Sequence, residues 1–221
     1  MVEPTSPMPQ ASSLLPARLL VPWAVLLALA VVCGLGLGVQ GADYPTAFAV
    51  AHTYPLVVAA ELVVLLVVVP LAAGGEHRAP RAGLLELVLL WVMAGPVVVV
   101  AWWVSDGDAA SVAASQAYVL AVAWLVAGYV RADARGRLRA VYWAVVGALG
   151  AGAPVVAFVV GDHLRAPATW LCALSPFWVA ARLSGPWRLG WEWGAPFAAL
   201  VGLAGVLQVW AGLGRRVIRD A

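Results

Sequence analysis

The chain contains no lysine and no asparagine, and only 11% of its 221 residues are charged. Each shortage excludes a chemistry. Without lysine no Schiff base can form, so neither a retinal protein nor a pyridoxal enzyme fits, whatever the number of helices. Cysteine is scarce too. Cys33 and Cys172 stand far apart in apolar surroundings, without metal-ligand spacing, and read as inert buried thiols. No nucleophile elbow, phosphate-binding glycine loop, HExxH or CxxC occurs, and the interruptions between apolar runs are too short to build a catalytic domain. The sequence therefore predicts no enzyme, no resident cofactor, no metal and no nucleic-acid partner.

What remains is a chain that is 64% hydrophobic with mean hydropathy +0.94, against roughly 45 to 50% in an ordinary soluble domain. A bilayer crossing needs about 20 apolar residues. The runs at 19–39, 54–73, 84–104, 111–130, 140–160 and 195–213 meet that need, and a shorter piece covers 168–181. The fold class that follows is all-α, a polytopic integral membrane helical bundle. Residues 1–18 read as a disordered cytoplasmic arm, 19–214 as the transmembrane domain and 215–221 as a basic cytoplasmic tail. The run from Leu19 to Val39 is too long for a signal-peptide core of about 7 to 15 residues. Within it, Gly34-Leu-Gly-Leu-Gly38 carries a GxxxG spacing that admits a neighbouring helix closely.

Every one of the 13 basic residues is an arginine, and short cytoplasmic loops carry an excess of them. The stretch Arg131-Ala-Asp-Ala-Arg-Gly-Arg-Leu-Arg139 fixes one side as cytoplasmic. Arg18, Arg78 and Arg81 then fall on the same side, while the arginine-free loops at 40–53 and 105–110 lie outside. Six transmembrane helices, with 168–181 as a re-entrant or interfacial element before the last helix, put ten arginines inside and three outside. Seven crossings, the alternative, put nine inside and four outside. Pro176, and the tryptophans at 187, 191 and 193 that follow, favour the six-helix count.

Glu61 is the carboxylate placed well inside a span. An ionisable group there costs several kcal/mol unless it faces protein or water, so its role is structural, a substrate-pathway contact or proton-coupled. His52 and His163 fall on the same outer side, but a metal needs about four ligands and a haem needs ligands within helices; only Asp162 and Asp43 are near them in sequence. Most of the 12 tryptophans fall near span ends, as interfacial rings do; Trp91 is read that way, whereas Trp124 and Trp143 lie within spans and are assigned to helix packing.

Three segments appear in a telling order. Val69-Pro-Leu-Ala-Ala-Gly-Gly-Glu76-His-Arg78 is followed by Gly83-Leu-Leu-Glu86-Leu; Ala173-Leu-Ser175-Pro176-Phe177-Trp178 precedes the last span; and Arg215-Arg-Val-Ile-Arg219 closes it. Together they resemble the permeases of ABC exporters of the type 2 class. The resemblance covers about a third of the chain and implies that Glu76, Arg78, Gly83 and Glu86 form the element that couples to an ATPase. It also implies that Ser175, Pro176 and Phe177 lie in an external segment before the last helix. Pro80 within the coupling segment and the lack of a threonine after the glycine depart from the family pattern. The implied partners are an ABC ATPase, a second permease chain and membrane lipids, and the implied location is a bacterial inner membrane with the N-terminus cytoplasmic. The alternative function is a non-catalytic integral subunit of a larger membrane complex.

Overall fold

A computed structural model describes residues 17–36, 52–73, 80–133, 137–164, 169–184, 198–206 and 209, and among the described residues there are helices and turns but no strand. Helix α1 is Ala17–Gly36. Helix α2 covers 53–73, beginning as Thr53–Val63, widening to a π turn over Val64–Val68 and closing over Val69–Ala73. Helix α3 is Pro80–Val104 and α4 is Ala109–Ala132. Helix α5 covers 139–164, with a second π turn at Ala148–Gly152 between Arg139–Gly147 and Ala153–Leu164. Two short helices follow, α6 at Thr169–Cys172 and α7 at Pro176–Ser184, and 198–206 is helical again.

Valine-rich runs such as these would be indifferent helix formers in water. In lipid they have little choice, because every backbone N–H and C=O must find its partner within the segment. Four stretches are long and apolar enough to cross a membrane: Thr53–Leu71, Leu87–Val104, Ala109–Ala132 and Arg139–His163; Leu20–Gly34 is a shorter apolar helix. The chain is thus a helical membrane bundle.

Helix α2 is the axis of the packing. Its Tyr54, Val57, Val58 and Leu62 are fully buried, with α1, α3, α4 and α7 around it. Helix α1 comes so close that a Cβ at Gly34 would stand 2.7 Å from Thr53 Oγ1 and 2.9 Å from Thr53 Cα. The glycine spacing seen in the sequence does admit a neighbour at Gly34, and that neighbour is α2.

Each π turn lies just before a proline, Pro70 in α2 and Pro154 in α5, whereas Pro22 and Pro96 stand within regular α-helix. A proline has no N–H to give the carbonyl four residues earlier, and its ring crowds that carbonyl. The orphaned acceptors are therefore those of Leu66 and Gly150. Both find hydroxyls on other elements: Tyr142 Oη donates to Leu66 O at 2.7 Å, and Ser175 Oγ donates to Gly150 O at 3.1 Å. The first bond ties α5 to α2 and the second ties α5 to the turn before α7.

The apolar piece at 168–181 is not one helix. It breaks at 173–175, where Ala173, Leu174 and Ser175 donate backbone bonds to Trp170, Leu171 and Cys172 in a tightened final turn. Helix α7, nine residues long, buries Val179, Ala180, Leu183 and Ser184 against α2 and α4.

Two expectations need correcting. Cys33 is exposed among the described residues, whereas Cys172 is buried. Trp124 was assigned to packing but is 38% exposed, lying on the open side of α4. Trp91 lies near the start of the Leu87–Val104 span, and its indole N–H turns inward to Gln116.

Candidate functional site

Among the described residues, a buried polar constellation gathers where α2, α3 and α4 meet. Glu61 is 3% exposed, and its Oε2 accepts a bond of 3.0 Å from Gln116 Nε2. The same amide nitrogen reaches Tyr54 Oη at 3.4 Å, and Gln116 Oε1 accepts the Trp91 indole N–H at 2.8 Å. Gln116 is thus held at both ends of its amide. Tyr54 Oη and Ser115 Oγ share a bond of 2.6 Å, and Ser115 Oγ lies 3.0 Å from Val112 O, to which it can donate.

Helix periodicity builds this arrangement. Tyr54, Val57, Val58, Glu61 and Leu62 follow the i, i+3, i+4 rule along the buried face of α2. Ser111 and Ser115 are one turn apart on α4, and Gln116 adjoins them. From Thr53 to Glu61 the helix descends about 12 Å at its ordinary rise, so the carboxyl sits well below the α3–α4 turn. That turn closes the end of the site. Ser105 Oγ accepts from Tyr54 N at 3.0 Å and donates to Ala101 O at 2.7 Å, while Trp102 Nε1 donates to Gly107 O at 2.6 Å. Asp106 adopts a left-handed φ of 49° there, a conformation that aspartate tolerates better than most residues.

The chemistry available is that of holding rather than conducting. Hydroxyls can pass a proton along a chain, but the Gln116 amide separates the Tyr54–Ser115 pair from the carboxyl. The bond that Glu61 receives comes from a neutral group. Thr53 Oγ1 is, among the described residues, the buried side-chain polar atom without a hydrogen-bond partner. It lies against Gly34 at the α1–α2 crossing, on the turn that opens α2, away from the carboxyl.

Of the residues singled out by sequence, Glu61 and Trp91 are in this site. Glu76 and Arg78 fall outside the described residues. Gly83 and Glu86 lie in the first turns of α3, on the helix that carries Trp91. Ser175, Pro176 and Phe177 open α7. Ser175 Oγ accepts from Trp178 N at 3.5 Å as an N-terminal cap, and Pro176 takes the first helical position, where a missing N–H is harmless. Phe177 lies over Gly150, at which a Cβ would come within 3.3 Å of the ring. His52 and His163 are exposed, and among the described residues no three or more His, Cys, Asp or Glu gather as metal ligands would.

Sequence reading found the carboxylate and missed its partners. The signal was present: Ser111, Ser115 and Gln116 interrupt an otherwise apolar span. Comparison of the chain with protein-family models, with characterised proteins and with solved structures finds no match.

Proposed function

We propose that the chain is the membrane-spanning subunit of an ATP-driven exporter, a permease half that pairs with a second permease chain and is driven by a separate ABC ATPase. In this reading six helices cross a bacterial inner membrane, 168–181 forms a re-entrant or interfacial element, and both ends of the chain are cytoplasmic. The observation that carries the proposal is the continuity of α3. Gly83 and Glu86 of the coupling segment and Trp91 of the buried network stand on one unbroken helix, Pro80–Val104. A force applied at its cytoplasmic end by ATPase closure reaches the α2–α3–α4 contact without crossing a joint, as a rigid-body switch requires. The order of the three segments that resemble type 2 exporter permeases supports the same reading.

The test is a mild-detergent pull-down of the tagged chain from its native membrane, with Glu76→Arg and Glu86→Arg variants alongside. Near-stoichiometric ATPase should accompany the native chain and be lost from the variants, which should still insert and fold. Recovery of a multi-subunit assembly without an ATPase would replace the proposal with the second reading, a non-catalytic subunit of a larger membrane complex. One observation favours that alternative: the Glu61 carboxyl bonds to a neighbouring side chain within the bundle and is 3% exposed, so it is sealed away from any substrate path.

A further inference from the structure

The α4–α5 turn, at the opposite end of α4 from the Ser105–Asp108 turn, is built around its one acid. Asp133 caps α4 through its backbone N–H, which donates to Tyr129 O at 2.8 Å. Its carboxylate takes two further bonds, from Tyr129 Oη to Oδ2 and from Leu138 N to Oδ1, each 2.9 Å. Leu138 is the residue that opens α5. One side chain thereby fastens the end of one spanning helix to the start of the next, and a carboxylate suits the positive N-terminal end of α5. Stacking reinforces the join: the Tyr129 and Tyr142 rings lie 4.0 Å apart, and Trp143 meets Tyr142 edge-on at 5.4 Å.

The carboxylate is engaged by Tyr129 and Leu138, and Arg137 and Arg139 beside it are exposed. Trp143 follows Arg139 by one helical turn on the membrane side, where indole rings settle at headgroup level. Because α4 and α5 are both long enough to span, their junction sits at the membrane surface. Two exposed arginines at that height suit a phosphodiester with acyl chains running down α5.

We propose that the α4–α5 turn is a headgroup site for an anionic phospholipid, with Arg137 and Arg139 contacting the phosphate and Asp133 as the positioning residue that holds the turn in shape. The inference needs only that α4 and α5 cross the bilayer, and it stands or falls separately from ATPase-driven export.

Native mass spectrometry of the full chain in detergent, titrated with phosphatidylglycerol, phosphatidylcholine or inorganic phosphate, tests it. Phosphatidylglycerol should bind in preference to phosphatidylcholine, and free phosphate should not displace it. The Arg137→Gln/Arg139→Gln variant, altered at two exposed positions, should bind about thirtyfold more weakly, since each arginine near an anionic surface contributes about fivefold. Asp133 separates a built site from plain attraction. Asp133→Asn removes a negative charge but keeps one acceptor, so the lipid should bind at least as tightly as to the native chain. Asp133→Ala makes the same charge change and removes both acceptors, so it should bind more weakly than Asp133→Asn. Equal binding by these two variants, equal binding of the two lipids, or displacement by inorganic phosphate would overturn the proposal. So would arginine-dependent retention of an ATPase with lipid binding unchanged.

Discussion

Gln116 shows how much one neutral side chain can carry in a membrane core. Its amide oxygen takes the Trp91 proton and its amide nitrogen serves both Glu61 and Tyr54. Replacing it with leucine keeps the volume but takes away the partner of the Glu61 carboxyl and of the Trp91 indole N–H, while Tyr54 keeps its bond to Ser115. Each unsatisfied group costs about 1 to 3 kcal/mol, with more for a charged one, although groups in a membrane recover part of this by finding other partners. Gln116→Leu should therefore destabilise the bundle by about 2 to 3 kcal/mol. Glu61→Gln keeps the shape and an acceptor for the Gln116 amide, and should stay within about 1 kcal/mol of the native chain. Reversible denaturant unfolding in mixed micelles ranks the two. A Glu61→Gln variant as unstable as Gln116→Leu would mean that the carboxyl itself, not the hydrogen-bond pattern, holds the core. Glu61 was legible because a lone acid in a 20-residue apolar run is conspicuous; Gln116 was not, because its importance lies in contacts 25 and 55 residues distant.

Among elements, α5 depends most on polar attachment. Only 11% of its span is buried within the chain, against 56% for that of α2, so apolar packing alone fixes it weakly. Two bonds to carbonyls four residues before a proline, Tyr142 to Leu66 and Ser175 to Gly150, tie it to distant parts of the chain. Tyr142→Phe and Ser175→Ala remove one hydroxyl each with little change in volume. Each should cost about 0.6 to 2 kcal/mol, and the double variant should raise amide exchange around Val64–Val68 and Ala148–Gly152 above the rest of the two helices. Exchange unchanged at both π turns would show that the turns hold without their hydroxyls. The sequence displayed Pro70 and Pro154 plainly, and with them the carbonyls that would lose a donor. It did not display what would fill the gap, because Tyr142 lies 76 residues from Leu66. The break of 168–181 at 173–175 is local by contrast, set by Pro176, which the sequence displays, and the Ser175 cap beside it.

At the scale of the molecule, α5 and the outer faces of α1 and α3 present Val21, Val92, Val99, Val155 and Phe158 to their surroundings, as expected where lipid tails or a partner's helices replace water. The number of crossings then decides how the whole chain faces the cell. Helix α4 alone puts Asp108 and Arg137 on opposite sides, since they flank one spanning helix. In a background where Cys33 and Cys172 are replaced, a cysteine at Asp108 should react with a membrane-impermeant maleimide in intact cells. One at Arg137 should react only after permeabilisation, as the arginine distribution requires. The tail carries the remaining decision. With 168–181 re-entrant, a cysteine at Ala221 follows Arg137 and stays protected. Labelling of Ala221 from outside would force 168–181 to cross completely, although α6 and α7 have only four and nine residues. It would also carry Arg215, Arg216 and Arg219 out of the cytoplasm against the charge rule, and remove the six-helix frame on which the permease proposal is built.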